Sequence, residues 1–233
     1  MTPKIIAVAN TKGGVGKTTV ALQLAVARVK FHKPAHEVWL VDGDRQQTAQ
    51  TAISLRQSRK ISPGIACAAY SDGDLLRSQV LLQKDKWETI IIDVGGFDST
   101  TMRAALGICD VLLVPFQPRS FDVWAISQMA KLIKGVQQVR GEFPVYAFLN
   151  CAEPQAASVD NREAEETLAD LAEQEQVKIQ FLKTPLCRRK AFATSSGFGL
   201  GVSELKVKDP KAVAEIKALE AAVFADIKSE QDD

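Results

Sequence analysis

The run Thr11-Lys12-Gly13-Gly14-Val15-Gly16-Lys17-Thr18-Thr19 gathers the residue types that a polyphosphate needs. Glycines at 13, 14 and 16 let the backbone turn tightly enough for successive N–H groups to face one anion. Lys17 suits the β and γ phosphates of a nucleotide, and the Thr18 hydroxyl suits Mg²⁺. A helix opening at Lys17 adds the positive end of its dipole at the same point. A glycine-rich turn that binds nothing is the plainer alternative. The apolar strand before the loop and the helix after it favour the phosphate reading.

Three further positions carry groups that such chemistry could use. Asp42 and Asp44 close an apolar run, Glu37–Asp42, where a pair of acidic turn residues could also simply cap the next helix. Ile90-Ile91-Ile92-Asp93 is an apolar strand ending in a carboxylate, the Walker B pattern, with Asp93 placed to hold Mg²⁺ through water. The glycines that follow, Gly95 and Gly96, suit a hinged segment that senses the γ-phosphate. Asn150 ends the run Val145–Asn150, at the edge where ligands bind in open α/β sheets, although asparagine also favours turns.

Apolar runs of strand length alternate with helix-period segments to position these groups. Strands are predicted at Lys4–Ala9, Glu37–Asp42, Ile65–Tyr70, Thr89–Asp93, Asp110–Pro115, Val145–Asn150 and Val177–Leu182. Helices are predicted near Lys17–Phe31, Gln46–Arg59, Asp74–Lys84, Thr100–Gly107, Ser120–Arg140, Ser158–Glu175 and Pro210–Lys228. Ile126, Met129, Ile133 and Val136 give one of these helices an apolar stripe. Continuous Ile/Val/Leu runs without alternation belong to strands covered on both faces. The expected fold is therefore α/β, a doubly wound, mainly parallel sheet with helices on both faces, of the P-loop NTPase type. Residues 1–233 read as a single domain, with no linker, repeat or low-complexity block.

A net charge of +1 excludes a chain that is basic throughout but not a local basic patch. Cys67, Cys109, Cys151 and Cys187 lie far apart without a C-x-x-C pair, as reduced thiols of a cytosolic protein do. No signal peptide and no membrane span of ~20 apolar residues is read, so a cytoplasmic location is expected. His32 and His36 flank Pro34 and are expected in solvent. Glu163–Glu175 reads as a solvated helix face. Gly197-Phe198-Gly199-Leu200-Gly201 superficially suggests a dinucleotide fingerprint but lacks the preceding strand, so a loop is expected.

The loop departs from G-x-x-x-x-G-K-[ST] by Thr11 in the first glycine position and gains Lys12 before the glycine pair. K-G-G-x-G-K-[ST] resembles the deviant Walker A loop of the ParA/MinD family, specifically its small form without an N-terminal helix-turn-helix. The likeness runs from Lys4 through the last helix and is looser beyond residue 120. It implies ATP and Mg²⁺ as cofactors, held by Lys12, Gly13, Gly14, Val15, Gly16, Lys17, Thr18 and Thr19. It implies Thr18, Asp42 and Asp93 around the metal, and Asn150 against adenine. Lys12 would reach the nucleotide of a partner subunit in an ATP-bound homodimer. Val41–Gln47 is similar to the family's first switch, so Asp44 would orient the attacking water and act with Lys12 and Lys17 in hydrolysis. Arg45 stands where the family has proline.

The resemblance further implies a nucleoid-associated ATPase of plasmid or chromosome partition, stimulated by a ParB-like or other adaptor protein. Non-specific DNA would meet Arg188 and Arg189, within a basic stretch that includes Lys190, Lys206, Lys208 and Lys211. Positioning a protein cargo fits the same machine. A MinD-like membrane cycle requires a basic amphipathic C-terminal helix, whereas Ser229–Asp233 is acidic, so no membrane partner is expected. A metabolic ATP-dependent ligase on the same fold is disfavoured by Lys12 and the Asp42/Asp44 pair.

Overall fold

The computed structural model describes residues 4–32, 36–118, 123–154 and 158–225. Ser120, the tail of the predicted last helix and the acidic run Ser229–Asp233 lie outside these residues.

The chain alternates strand and helix as its apolar periods require. The elements are β1 (Ile5–Val8), α1 (Lys17–Phe31), β2 (Val38–Gly43), α2 (Thr48–Ser58), β3 (Ala66–Ala69), α3 (Gly73–Gln83), β4 (Thr89–Val94), α4 (Thr100–Ile108), β5 (Val111–Phe116), α5 (Val123–Arg140), β6 (Val145–Ala152), α6 (Val159–Gln174), β7 (Gln180–Phe181), β8 (Leu186–Cys187), α7 (Lys190–Gly197) and α8 (Pro210–Val223). The strands form one sheet ordered β3-β2-β4-β1-β5-β6-β7, with β8 beside β6. Every pairing is parallel.

Alternate residues of each strand feed two cores. Ile5 and Ala7 pack with Ile90 and Ile92 under α3, α4, α5 and α6, through Leu76, Met102, Ile133 and Leu168. Ile6 and Val8 pack with Leu40, Ile91 and Leu113 under α1, α2 and α8, through Leu24, Ile53 and Ile216. This two-sided burial is why the strands read as unbroken apolar runs. In the α5 stripe, Met129 and Ile133 are buried and Val136 partly so.

Several boundaries shift by a few residues, β6 running on to Ala152, and β8 and α7 are elements not expected, while the loop expected at 199–201 is present. The run Val177–Leu182 buries both ends, yet only Gln180–Phe181 joins the ladder, paired with Tyr146–Ala147. Leu186–Cys187 forms an additional two-residue strand, too short to carry a period. Gly197 ends α7 and Gly199 turns away with φ 69°, so the glycines at 197–201 close a helix and form no dinucleotide loop.

Candidate functional site

β1 stops at Val8 in the middle of the sheet, between β4 and β5, and the glycine loop crosses its carboxyl end to reach α1. Gly14 (φ 76°) and Gly16 (φ 91°) adopt the left-handed backbone that glycine tolerates best. The loop is anchored from below. Asn10, 4% exposed, donates Nδ2 to Pro115 O at 2.9 Å and accepts from Lys12 N at 2.9 Å. Lys17 Nζ donates to Lys12 O at 2.9 Å, Gln117 Nε2 to Gly14 O at 3.0 Å, and Asn150 Nδ2 to Val15 O at 2.7 Å.

Four of the expected polar groups converge behind this loop. Burial lowers the Lys17 pKa, while the charges of Asp93 and Asp44 pull it back up. Asp93, on β4 beside Asp42 of β2, is fully buried and neither of its carboxylate oxygens has a hydrogen-bond partner. Burial pushes its pKa up to about 8. The nearby Thr18 hydroxyl and Lys17 oppose that rise, and Asp42 and Asp44 add to it. Orphaned oxygens on a buried acid need an explanation, and an ion is one. With the Thr18 hydroxyl they form a hard, oxygen-only donor set that fits Mg²⁺. Among the described residues no group of three His, Cys, Asp or Glu side chains could hold a metal alone. That suits a cation completed by phosphate oxygens and water.

Asp42 lies opposite Asp93 in the parallel register. Its Oδ1 accepts from Asp44 N at 3.0 Å and its Oδ2 from Gln50 N at 2.9 Å, so it ties the turn after β2 to α2. Burial raises its pKa, and these backbone bonds limit the rise. Asp44 is half-buried and accepts from Gln46 N at 3.0 Å. It lies against the segment after β4, for a Cβ on Gly95 would stand 3.2 Å from its carboxyl group. That segment rests on the phosphate loop: a Cβ on Gly96 would stand 3.3 Å from Gly13 N, and Phe97 N donates to Thr11 O at 2.8 Å. Phe97 takes a positive φ of 69° and is 79% exposed. Asp98 pairs with Arg103, and Thr101 Oγ1 donates to Gly43 O at 2.9 Å, fastening α4 to the ends of β2 and β4.

Asn150 faces the loop from β6, two residues before its carboxyl end at Ala152. Its amide nitrogen, expected against adenine, is bonded to Val15 O, and a Cβ on Gly16 would collide with it. Asn10, Gln117 and Thr101 escaped the sequence reading. For Asn10 a signal existed, a polar amide directly after an apolar strand. For Gln117 and Thr101 there was none, because their partners lie 103 and 58 residues away.

The basic stretch separates into two kinds of residue. Arg188, Lys190, Lys206, Lys208 and Lys211 are exposed. Arg189 is not available in the same way: Nε and Nη2 donate to Glu215 Oε1 at 2.9 and 2.6 Å, with 17% of the side chain exposed. This guanidinium fixes α8 to the start of α7, a pairing that a DNA contact at Arg189 would have to share.

His32 and His36 are likewise not the solvent-facing residues expected. Their rings meet edge to face at 4.6 Å, and His32 Nε2 lies 2.8 Å from Glu220 Oε1. Among the described residues no helix is long and apolar enough to cross a membrane.

The family model described as the CobQ/CobB/MinD/ParA nucleotide binding domain matches residues 6–202. The maintenance of carboxysome distribution protein A of Halothiobacillus neapolitanus is 25% identical over 215 residues, 92% of this chain and 93% of that protein. Protein ParA of Rhizobium radiobacter is 23% identical over 223 residues, 95% of each. Among solved structures, an ATP complex of Cyanothece McdA has the same fold, with a TM-score of 0.72 at 16% identity over 97% of this chain and 98% of that one.

Proposed function

The chain belongs to the CobQ/CobB/MinD/ParA nucleotide-binding family, and on that premise we propose that it is a ParA-type positioning ATPase that dimerises on ATP. The observation that carries the reading is Asp93, buried with both oxygens unpartnered beside Thr18 and Lys17 at the phosphate loop.

In this reading the loop N–H groups of residues 13–19 bind the phosphates, and Lys17 exchanges Lys12 O for a phosphate oxygen. Thr18 and Asp93 hold Mg²⁺, which neutralises phosphate charge when bound. Asp42 acts one step further out by holding the backbone of Asp44. Asp44 orients the attacking water, which suits phosphoryl transfer, where positioning and charge dominate. Lys12 serves the partner subunit's nucleotide. Arg188 and its exposed lysine neighbours bind DNA without reading sequence, and an adaptor protein stimulates hydrolysis. Partition of plasmid or chromosome DNA follows from the ParA likeness. A protein assembly as cargo is the second reading, favoured by the relative named for carboxysome distribution.

Size measurement with ADP and with a slowly hydrolysed ATP analogue tests the motor. The unaltered chain is expected to dimerise only with the analogue. Lys12→Ala is expected to bind ATP yet stay monomeric, and Asp44→Ala to bind ATP, hydrolyse poorly and persist as a dimer. A Lys12→Ala protein that dimerises and turns over ATP normally overturns the reading. ATP turnover that requires a small-molecule co-substrate would favour a ligase instead.

A further inference from the structure

Each peptide group is planar and trans, so its C=O and N–H point in opposite directions. Holding a carbonyl on one side of the loop therefore aims the following N–H at the other side. The carbonyls of Gly14 and Val15 accept hydrogen bonds from the side chains of Gln117 and Asn150. The N–H groups of Val15 and Gly16 are thereby turned as a pair. The peptide between Thr11 and Lys12 is used at both ends, its carbonyl by Phe97 N and its N–H by Asn10 Oδ1.

Asn150 holds the tightest of these carbonyl anchors. It is 6% exposed, bonds Val15 O at 2.7 Å, and fills the space a Cβ would take on Gly16. We infer that Asn150 is a positioning residue for phosphate binding, one that sets the polarity of the loop rather than reading the base. Gln117 does the same at Gly14 from a more exposed position. The inference rests on the nucleotide-binding reading of the loop and gives one of its residues a different task.

The test is calorimetric titration of the full chain with three probes in Mg²⁺: ATP, GTP and inorganic triphosphate, which has no base. Asn150→Leu keeps the bulk and removes the donor. It is expected to weaken all three by a common factor of about ten, as for a lost buried hydrogen bond, with the ATP-to-GTP ratio unchanged and the ligand-free melting temperature modestly lowered. Asn150→Ala is measured alongside and decides the matter should the leucine variant not fold. Gln117→Ala is expected to give a smaller uniform loss. Unchanged triphosphate affinity with a collapsed ATP-to-GTP ratio would overturn the inference and make Asn150 a base reader. Unchanged affinity for all three would also overturn it. If the unaltered chain binds neither ATP nor triphosphate, it is the proposed function that fails.

Discussion

The two ends of the sheet bury charge in opposite ways. At the amino end of the strands, Arg28 and Glu220 are a closed pair: Nη1 to Oε1 is 2.6 Å, with side chains 6% and 7% exposed. Arg28 also donates to Thr89 Oγ1 at 3.4 Å and stacks over the Phe224 ring at 4.1 Å. At the carboxyl end, Asp93 is equally buried and has no hydrogen-bond partner. A satisfied buried charge fixes helices to each other, whereas an unsatisfied one is costly unless a ligand completes it. Burial alone marks neither; the state of the hydrogen bonds tells stability from function.

Breaking the closed pair gives the largest expected effect. Glu220→Ala strands the Arg28 guanidinium and is expected to cost about 3–5 kcal/mol by denaturant titration, while ATP affinity per folded molecule stays unchanged. Asp93→Asn does the reverse: Mg²⁺-dependent ATP binding is lost, and the ligand-free chain becomes more stable at pH 8. The sign follows from linkage. The folded Asp93 pKa is raised to about 8, so between about pH 4 and pH 8 the unfolded chain has released a proton that the folded chain retains, and stability falls as pH rises. The advantage of Asp93→Asn is thus expected to grow across that interval. A constant difference between the two melting curves from pH 4 to 8 would mean that Asp93 is not held neutral.

Arg189→Ala should cost about 1–2 kcal/mol through Glu215, whereas Arg188→Ala leaves stability unchanged and weakens salt-dependent DNA binding in the ATP state. Equal effects of the two on DNA alone would erase the distinction between them. The smallest effect concerns His36. Burial and then the Arg28 charge lower its pKa, so below about pH 6.5 the unfolded chain takes up protons that the folded chain resists. Stability should fall with pH there, and His36→Gln should reduce that fall by less than ~1 kcal/mol.

What the sequence made legible was what depends on neighbours along the chain. α1 spans Lys17–Phe31 as read, because the loop fixes its start and a helix-length, mostly apolar run, Val20–Val29, is buried after it. Lys17, Thr18, Asp44 and Asp93 were found because loop and strand-end patterns are local, and the fold brings all four together. What escaped depends on partners far along the chain. Nothing near Arg189 announces Glu215, and nothing near His32 announces Glu220, so both residues were taken for surface groups. Asn150 was recognised as a site residue, but its neighbour could not be read, since Val15 lies 135 residues away.

The central place of β1 has a consequence for how the chain is made. Ile5 pairs with Ile90 on one side, and Ile6 with Val111 on the other. Among the described strands, β1 therefore waits through the longest stretch of chain for its first neighbour. At roughly 5–20 residues per second, on the order of ten seconds pass before either partner strand has been synthesised. Throughout that time Ile5–Val8, apolar on both faces, waits without a sheet. Whatever keeps it from sticking elsewhere must act before the phosphate loop has anything to bind.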